Sequence, residues 1–333
     1  MQANLGFNWI ACGDYARASS CFEALVEARP SFIPAWLGLR TVADSTQDSA
    51  KAAEACAALG DSLSNPRLAS EQWERAAMLL LDALGDTTRG RFALSRAVAL
   101  DITQGHAFSR LFRLVREAGD ADELLRLIEA RLPKTVDDEE RIFLLWERAR
   151  ALRTRGDRAG ALQALDGVTR LAPNHVGALA LAGEIHIALG QFDDAARFLA
   201  QLSSMAEAPL KQRIMSALAA ADLFDKKLGR SNFARDILLD LYRTQPTPPA
   251  LKERLAQIAV KIEAYPLAVD VLESLLVDLP DQDARIDTAR LVLALCRDKL
   301  DQPARAERAV ELILEQFPTD AEAIDLVLDV VFF

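Results

Sequence analysis

The sequence predicts an all-α solenoid, a row of helical hairpins sharing one continuous core, and three observations predict it. One short phrase returns at nearly regular intervals along the 333 residues. Between its copies lie stretches rich in Ala, Leu, Arg, Glu and Asp, with only 15 Gly and 13 Pro in the whole chain, a composition that favours helix over strand. No window alternates apolar and polar residues for long enough to make a sheet. A chain of this length would divide into about two compact globules, whereas a repeat array grows its core along one axis. Hydrophobic residues, 51% of the chain, supply that core.

The recurring phrase reads CGDYARASSCF, LGDTTRGRFAL, AGDADELLRLI, RGDRAGALQAL, LGQFDDAARFL and LGRSNFARDIL, with weaker copies TQDSAKAAEAC, IEAYPLAVDVL and LDQPARAERAV. Its anchor residues are Gly13, Gln47, Gly85, Gly119, Gly156, Gly190, Gly229, Glu263 and Asp301. Glycine there suits the left-handed residue that ends a helix. The Asp that follows it in four copies (Asp14, Asp86, Asp120, Asp157) is placed to cap the next helix. Five residues after the anchor stands a small residue in every copy but one, where Leu124 stands, as close packing of two helices requires. Nine after it the residue is always apolar, from Phe22 to Val310. Seventeen after it, Pro30, Pro173, Pro246, Pro280 and Pro318 break the second helix. Each unit is therefore a helix A, a tight turn, a helix B and a loop.

The 34-residue step, the Ala18/Phe22 pair and the closing Pro30 resemble the tetratricopeptide repeat family. The first unit, LGFNWIACGDYARASSCFEALVEARP, fits the pattern almost throughout, and Arg148 to Leu202 fit it well. Arg40, Leu124 and Glu263 depart from it, and Arg148 falls where the fifth unit should be apolar. The resemblance covers essentially the whole chain and is closest to the long arrays of bacterial members. It implies a right-handed α-solenoid of about nine helix-turn-helix repeats plus a terminal helix, forming one continuous domain over 1–333. The repeats would span 1–32, 33–68, 69–103, 104–136, 137–174, 175–208, 209–247, 248–281 and 282–319, with a C-terminal helix over 320–333.

The anchor spacings alternate: 34, 38, 34, 37, 34, 39, 34 and 38. The larger unit is thus a pair of repeats stepping by 71 to 73 residues. The extra residues fall before every odd-numbered repeat and amount to about one helical turn. Every second A helix should therefore be longer, with its apolar face still in register. The last segment, TDAEAIDLVLDVVFF, reads as the A helix of a tenth repeat without its B helix. Its apolar residues Val327, Leu328, Val331, Phe332 and Phe333 point either to a longer chain or to a surface for homo-oligomerisation.

A formal net charge of -10 argues against a general binder of nucleic acid or of anionic membranes. The longest apolar runs are too short to span a bilayer, and the amino-terminal residues lack the pattern of a secretory leader, so a cytoplasmic protein is expected. Cys12, Cys21, Cys56 and Cys296 form no CxxC, and His106, His175 and His186 are the only histidines, so no metal or other cofactor is expected. There is no nucleophile elbow, phosphate-binding loop or metalloprotease helix, and the carboxylates fall on outer faces and at caps. The chain is not expected to be an enzyme. Trp9, Trp36, Trp73 and Trp146 all fall on A helices, where they read as inter-helix packing.

In the tetratricopeptide family the A helices line a concave groove. That resemblance places the groove stripe 13, 10, 6, 3 and 2 residues before each anchor, a coherent helical face distinct from the core. In the fourth repeat it holds His106, Ser109, Arg113, Arg116 and Glu117; in the fifth, Phe143, Trp146, Arg150, Arg153 and Thr154. Lys226, Lys227, Lys261 and Lys299 continue it. The stripe is basic within an acidic chain, and guanidinium groups beside aromatic rings suit a carboxylate- or phosphate-bearing peptide. The expected function is a protein–protein interaction scaffold holding an acidic partner segment. Alternatives are a self-associating structural solenoid or a regulatory arm of a larger protein. The Asn-and-Lys clamp of chaperone-binding members is not reproduced.

Overall fold

The computed structural model describes residues 2–316. Among these there are eighteen α-helices and no strand. The repeats run as hairpins: α1 and α2 (Gln2–Ala11, Tyr15–Ala28), α3 and α4 (Ile33–Ser45, Ser49–Ser62), α5 and α6 (Pro66–Met78, Thr87–Leu100). Then come α7 and α8 (Gly105–Ala118, Ala121–Arg131), α9 and α10 (Asp138–Arg155, Arg158–Leu171), and α11 and α12 (Val176–Ala188, Phe192–Ser204). The array continues with α13 and α14 (Leu210–Asp222, Ser231–Thr244), α15 and α16 (Pro249–Lys261, Tyr265–Asp278), and α17 and α18 (Gln282–Leu295, Pro303–Gln316). The chain divides into two compact bodies, one ending at Ala164 and the other beginning at Leu165, inside α10. The helix expected over 320–333, with its apolar residues, lies outside the described residues.

All nine anchors adopt positive φ, between 49° and 86°, including the non-glycine residues Gln47, Glu263 and Asp301. The following Asp caps the B helix as expected. Asp14, Asp86, Asp120 and Asp157 each accept from the backbone N–H three residues on, at 2.8–3.0 Å. The apolar residue nine past each anchor is buried in every repeat. Phe22 shows how tight the packing is: a Cβ at Gly6 or Gly38 would lie within 2.5 Å of its ring. Two backbones can close on that ring only because both positions are glycine.

Every second A helix is longer, as the spacing predicts. The A helices of repeats three, five, seven and nine reach through 66–83, 138–155, 210–227 and 282–300, against 13 or 14 residues in α3, α7, α11 and α15. In three of the four the last turn is a π turn: Leu79–Ala83, Leu223–Lys227 and Cys296–Leu300. The Leu84 and Leu228 N–H groups reach back five residues to Leu79 and Leu223 at 3.1 and 3.0 Å. The physical reason is arithmetic. The spacing of the all-α α9 exceeds 34 by three residues and those of the other three by four or five, and each further residue would rotate the helix by roughly 100°. The wider π turn absorbs it. Only α9, with the shortest odd spacing (37), stays α-helical throughout.

The third A helix also begins earlier than the expected boundary at 69. Asn65 accepts from the Arg67 and Leu68 backbone N–H groups at 3.0 and 3.3 Å, and Pro66 occupies the first helical position, where its missing N–H costs nothing.

Candidate functional site

The fourth and fifth repeats bring their aromatic and basic residues together on α7 and α9. His106, Ser109, Arg113, Arg116, Phe143, Arg150 and Arg153 are exposed, and Trp146 is half-buried. At the base, Phe112 packs against Phe143 at 5.4 Å and against Phe108 at 5.7 Å. Glu147, on the same helix as Phe143, is only 4% exposed. Its carboxylate accepts from Arg150 at 2.9 Å and faces Arg116 from the neighbouring A helix at 3.9 Å. The Arg150 guanidinium also lies 5.9 Å from the centre of the Trp146 ring, within cation–π range. This surface thus already holds one carboxylate between two arginines and beside an indole.

Neighbouring A helices of the first body carry further pairs. Arg75 donates to Asp44 at 2.7 Å, and Arg110 makes a two-point contact with Asp82 at 2.5 and 2.9 Å. Hydrogen bonding from Arg110 holds the Asp82 carboxyl below its usual range, and the charge of Arg113 adds to the effect. Arg148, out of place in the apolar pattern, is half-buried and pairs with Glu129 of α8 at 3.7 Å.

Lys226 and Lys227 belong to the second body and form a separate cluster on a π turn. Lys226 pairs with Asp222 at 3.0 Å, and Lys227 lies 5.5 Å from the Phe192 ring centre. Beside them is a network that counting back from the anchors did not find. Asp225, 6% exposed, accepts from Lys261 at 2.6 Å, Ser231 at 2.6 Å and Arg254 at 2.8 Å. Burial pushes its carboxyl up, but these donors outweigh burial and bring it down to about 2. Arg254 also lies 2.7 Å from Asp222.

The expected stripe needs correcting in the seventh repeat, where a π turn intervenes. Ser216 and Leu223, 13 and 6 residues before Gly229, are buried rather than groove-facing, whereas Met215, one position earlier, is 62% exposed. The outward face before this π turn is thus displaced by one position at Met215. The missed charges did leave a signal. Nine residues before the anchor, repeats four, five and eight carry Arg110, Glu147 and Arg254, where the first repeat has Asn4 and the other five have Ala, Gly, Leu or Val. All three make ion pairs to a neighbouring A helix. The second body also opens a cavity of about 470 Å³ between α15 and α17, lined by Glu253, Gln257, Val260, Thr288 and Leu291 over Leu275. The stripe names several of these residues, but open space cannot be read from a sequence.

His175 caps α11 through its ring, accepting from the Ala178 backbone N–H at 3.0 Å, and His186 stacks on Phe198. Among the described residues no group of three or more His, Cys, Asp or Glu could hold a metal ion, and no helix is long and apolar enough to cross a membrane.

The profile of the tetratricopeptide repeat family matches residues 152–218, and the same left-handed turn ends the A helix at all nine anchors from Gly13 to Asp301. Residues 152–218 thus match the tetratricopeptide repeat family, and helical hairpins of the same kind lie on both sides of them. No curated protein matches this chain. Among solved structures it is similar to a tetratricopeptide repeat protein from Parabacteroides merdae, at 18% identity and a TM-score of 0.39, over 79% of this chain and 99% of that one. It is also similar to Naa15/Naa10 bound to HypK-THB, at 15% identity and a TM-score of 0.48, over 99% of this chain and 54% of that one. A third likeness is YrrB, a tetratricopeptide repeat protein with an unusual peptide-binding site, at 18% identity and a TM-score of 0.29, over 54% of this chain and 88% of that one. None of these scores is high enough to bear on what this protein binds.

Proposed function

We propose that this protein is a non-catalytic interaction scaffold that holds an acidic peptide segment on the A-helix face of repeats four and five. The observation that carries the proposal is Glu147. A carboxylate sits there against Arg150 at 2.9 Å, while Arg116 stands off at 3.9 Å with its side chain 45% exposed. Arg116 therefore has donors to offer a second carboxylate, with Arg113 and Arg153 exposed on the same face. Phe143 (42% exposed) and the half-buried Trp146 offer apolar surface to the stem between such carboxylates.

The test is fluorescence anisotropy with a labelled peptide that alternates Asp or Glu with Leu, beside its Asn/Gln isostere. The acidic peptide should bind and the isostere should not, with affinity falling as salt rises. The combined substitution R113E/R116E/R150E/R153E should abolish binding. Equal affinity for both peptides, or unchanged affinity in that variant, would overturn the site.

A further inference from the structure

A second surface of the first body has the opposite electrostatics and lies on different helices. Between α2 and α4, with α3 as its floor, is a cleft of about 530 Å³. Val26, Leu39 and Val42 supply its apolar lining, and the rings of Tyr15 and Trp36 stand in its wall. The Trp36 indole N–H donates to the Pro30 carbonyl at 2.6 Å, which fixes the ring in place. The carboxylates lining the cleft are Glu23, Glu27, Glu54 and Asp48, against the single cation Lys51. Asp48 is occupied as the cap of α4, accepting from the Lys51 backbone N–H. Glu23 accepts from Ser19 at 2.9 Å and meets the Lys51 ammonium only at 3.4 Å, between side chains that are both about half-exposed.

The two-repeat step provides an internal comparison. One pair of repeats later, α6, α7 and α8 enclose the corresponding cleft, of about 670 Å³. Measured from the anchors, Val26 corresponds to Val98 and Leu39 to Leu111, so two positions of the apolar lining are shared. The charges are not. Ser95, Ala99 and Arg126 stand where the first cleft has Glu23, Glu27 and Glu54. In the second cleft Arg126 and Lys134 balance Asp101 and Glu123, and Glu123 is taken by Arg91. The same fold position is thus neutral in one copy and acidic, with a fixed aromatic wall, in the other. A carboxylate rim over an aromatic and aliphatic floor matches an alkyl stem ending in a cation.

We propose that the cleft between α2 and α4 takes an arginine or lysine side chain from a basic, extended segment of a partner protein. Lys51 marks the chemistry, since its ammonium already rests on Glu23 and an incoming guanidinium would displace it with better geometry. The proposal does not depend on the acidic-peptide site, which lies on α7 and α9.

The experiment titrates the full chain, its tryptophan indoles labelled with nitrogen-15, with a capped Leu-Arg-Ser-Arg-Leu peptide and with the same peptide carrying citrulline for arginine. The arginine peptide should shift the Trp36 indole resonance saturably, and the citrulline peptide should bind about tenfold more weakly or not at all. E23Q/E27Q/E54Q should weaken arginine-peptide binding about tenfold. E139Q/E207Q/E311Q makes the same change in net charge at exposed positions elsewhere and should leave binding unaltered. Equal binding of the two peptides, equal weakening by the two triple variants, or a Trp36 resonance that stays still while other indoles move would each overturn the proposal. An acidic peptide that bound α7 and α9 without moving Trp36 would show the two sites to be separate; failure of the acidic peptide alone would leave this cleft standing.

Discussion

Two regions of this protein bury a carboxylate against cations, at least one of them from a neighbouring A helix, and they do so to opposite effect. In repeats seven and eight Asp225 is enclosed by Arg254, Lys261 and Ser231, and the Arg254 side chain is itself only 16% exposed. In repeats four and five Glu147 is as deeply buried, but its partners Arg116 and Arg150 are 45% and 54% exposed. Burial of the carboxylate is common to both; what differs is whether its cations have anything left to offer. A closed network joins helices. An open one joins helices and still presents donors to solvent.

The largest expected effect is on the closed network. Asp225→Ala leaves the nearly buried Arg254 with Asp222 as its remaining carboxylate and Lys261 and Ser231 without their acceptor, and should cost about 3 kcal/mol. Glu147→Ala leaves its arginines free to turn to water and should cost about 1 kcal/mol. Urea unfolding combined with amide exchange over α13 to α15 and over α7 to α9 would read the two losses separately. Equal losses would break the distinction between closed and open.

Acid should tell the regions apart in the same direction. The Asp225 carboxyl is lowered from 3.8 to about 2 in the folded protein. Its contribution is therefore present above about pH 4 and is lost as pH falls through 3.8 towards 2, an effect of about 2 kcal/mol. Urea midpoints measured at neutral pH and near pH 3 should fall for the native chain in α13 to α15, and Asp225→Asn should remove most of that dependence.

A smaller effect concerns binding. If Glu147 occupies donors that a partner would use, Glu147→Gln should tighten the acidic peptide about threefold in the anisotropy assay. Weaker binding would instead make Glu147 the residue that positions Arg116 and Arg150.

Much of this was readable in the sequence, and what was not has a definite cause. The turns, the Asp caps and the alternation of long and short A helices all follow from local spacing, because each depends on residues within about one helical turn of the anchor. The π turns do not follow, since a one-residue excess says nothing of where a helix absorbs it. From that single ambiguity came the misphased stripe at Ser216 and Leu223 and the neglect of Asp225, which lies on a π turn. In the fifth repeat, where α9 has no π turn, Phe143, Arg150 and Arg153 are exposed. There the residue overlooked was Glu147, whose burial depends on the next A helix and not on its own. The cleft between α2 and α4 was illegible for a further reason: a cavity is space between three helices, and no pattern along one of them records it.

The smallest prediction returns to the turns and asks whether the closed network also steadies the end of α15. Glu263, two residues beyond Lys261, ends that helix with φ at 61°, and Gln47 ends α3 with φ at 58°. A left-handed conformation costs an ordinary L-residue about 1 kcal/mol, and glycine relieves that strain while adding freedom to the unfolded chain. Glu263→Gly and Gln47→Gly should each therefore stabilise by only about 0.5 kcal/mol. The informative quantity is the difference in the Asp225→Asn background. Gln47 lies in the other body, so its gain should be unchanged there. If Lys261 and Arg254 hold α15 rigid up to its last turn, releasing them lets the helix end fray and relax the strain by itself. The gain from Glu263→Gly should then shrink. A gain that stayed the same in both backgrounds would confine the network to the helices it touches directly and leave the turn beyond them independent.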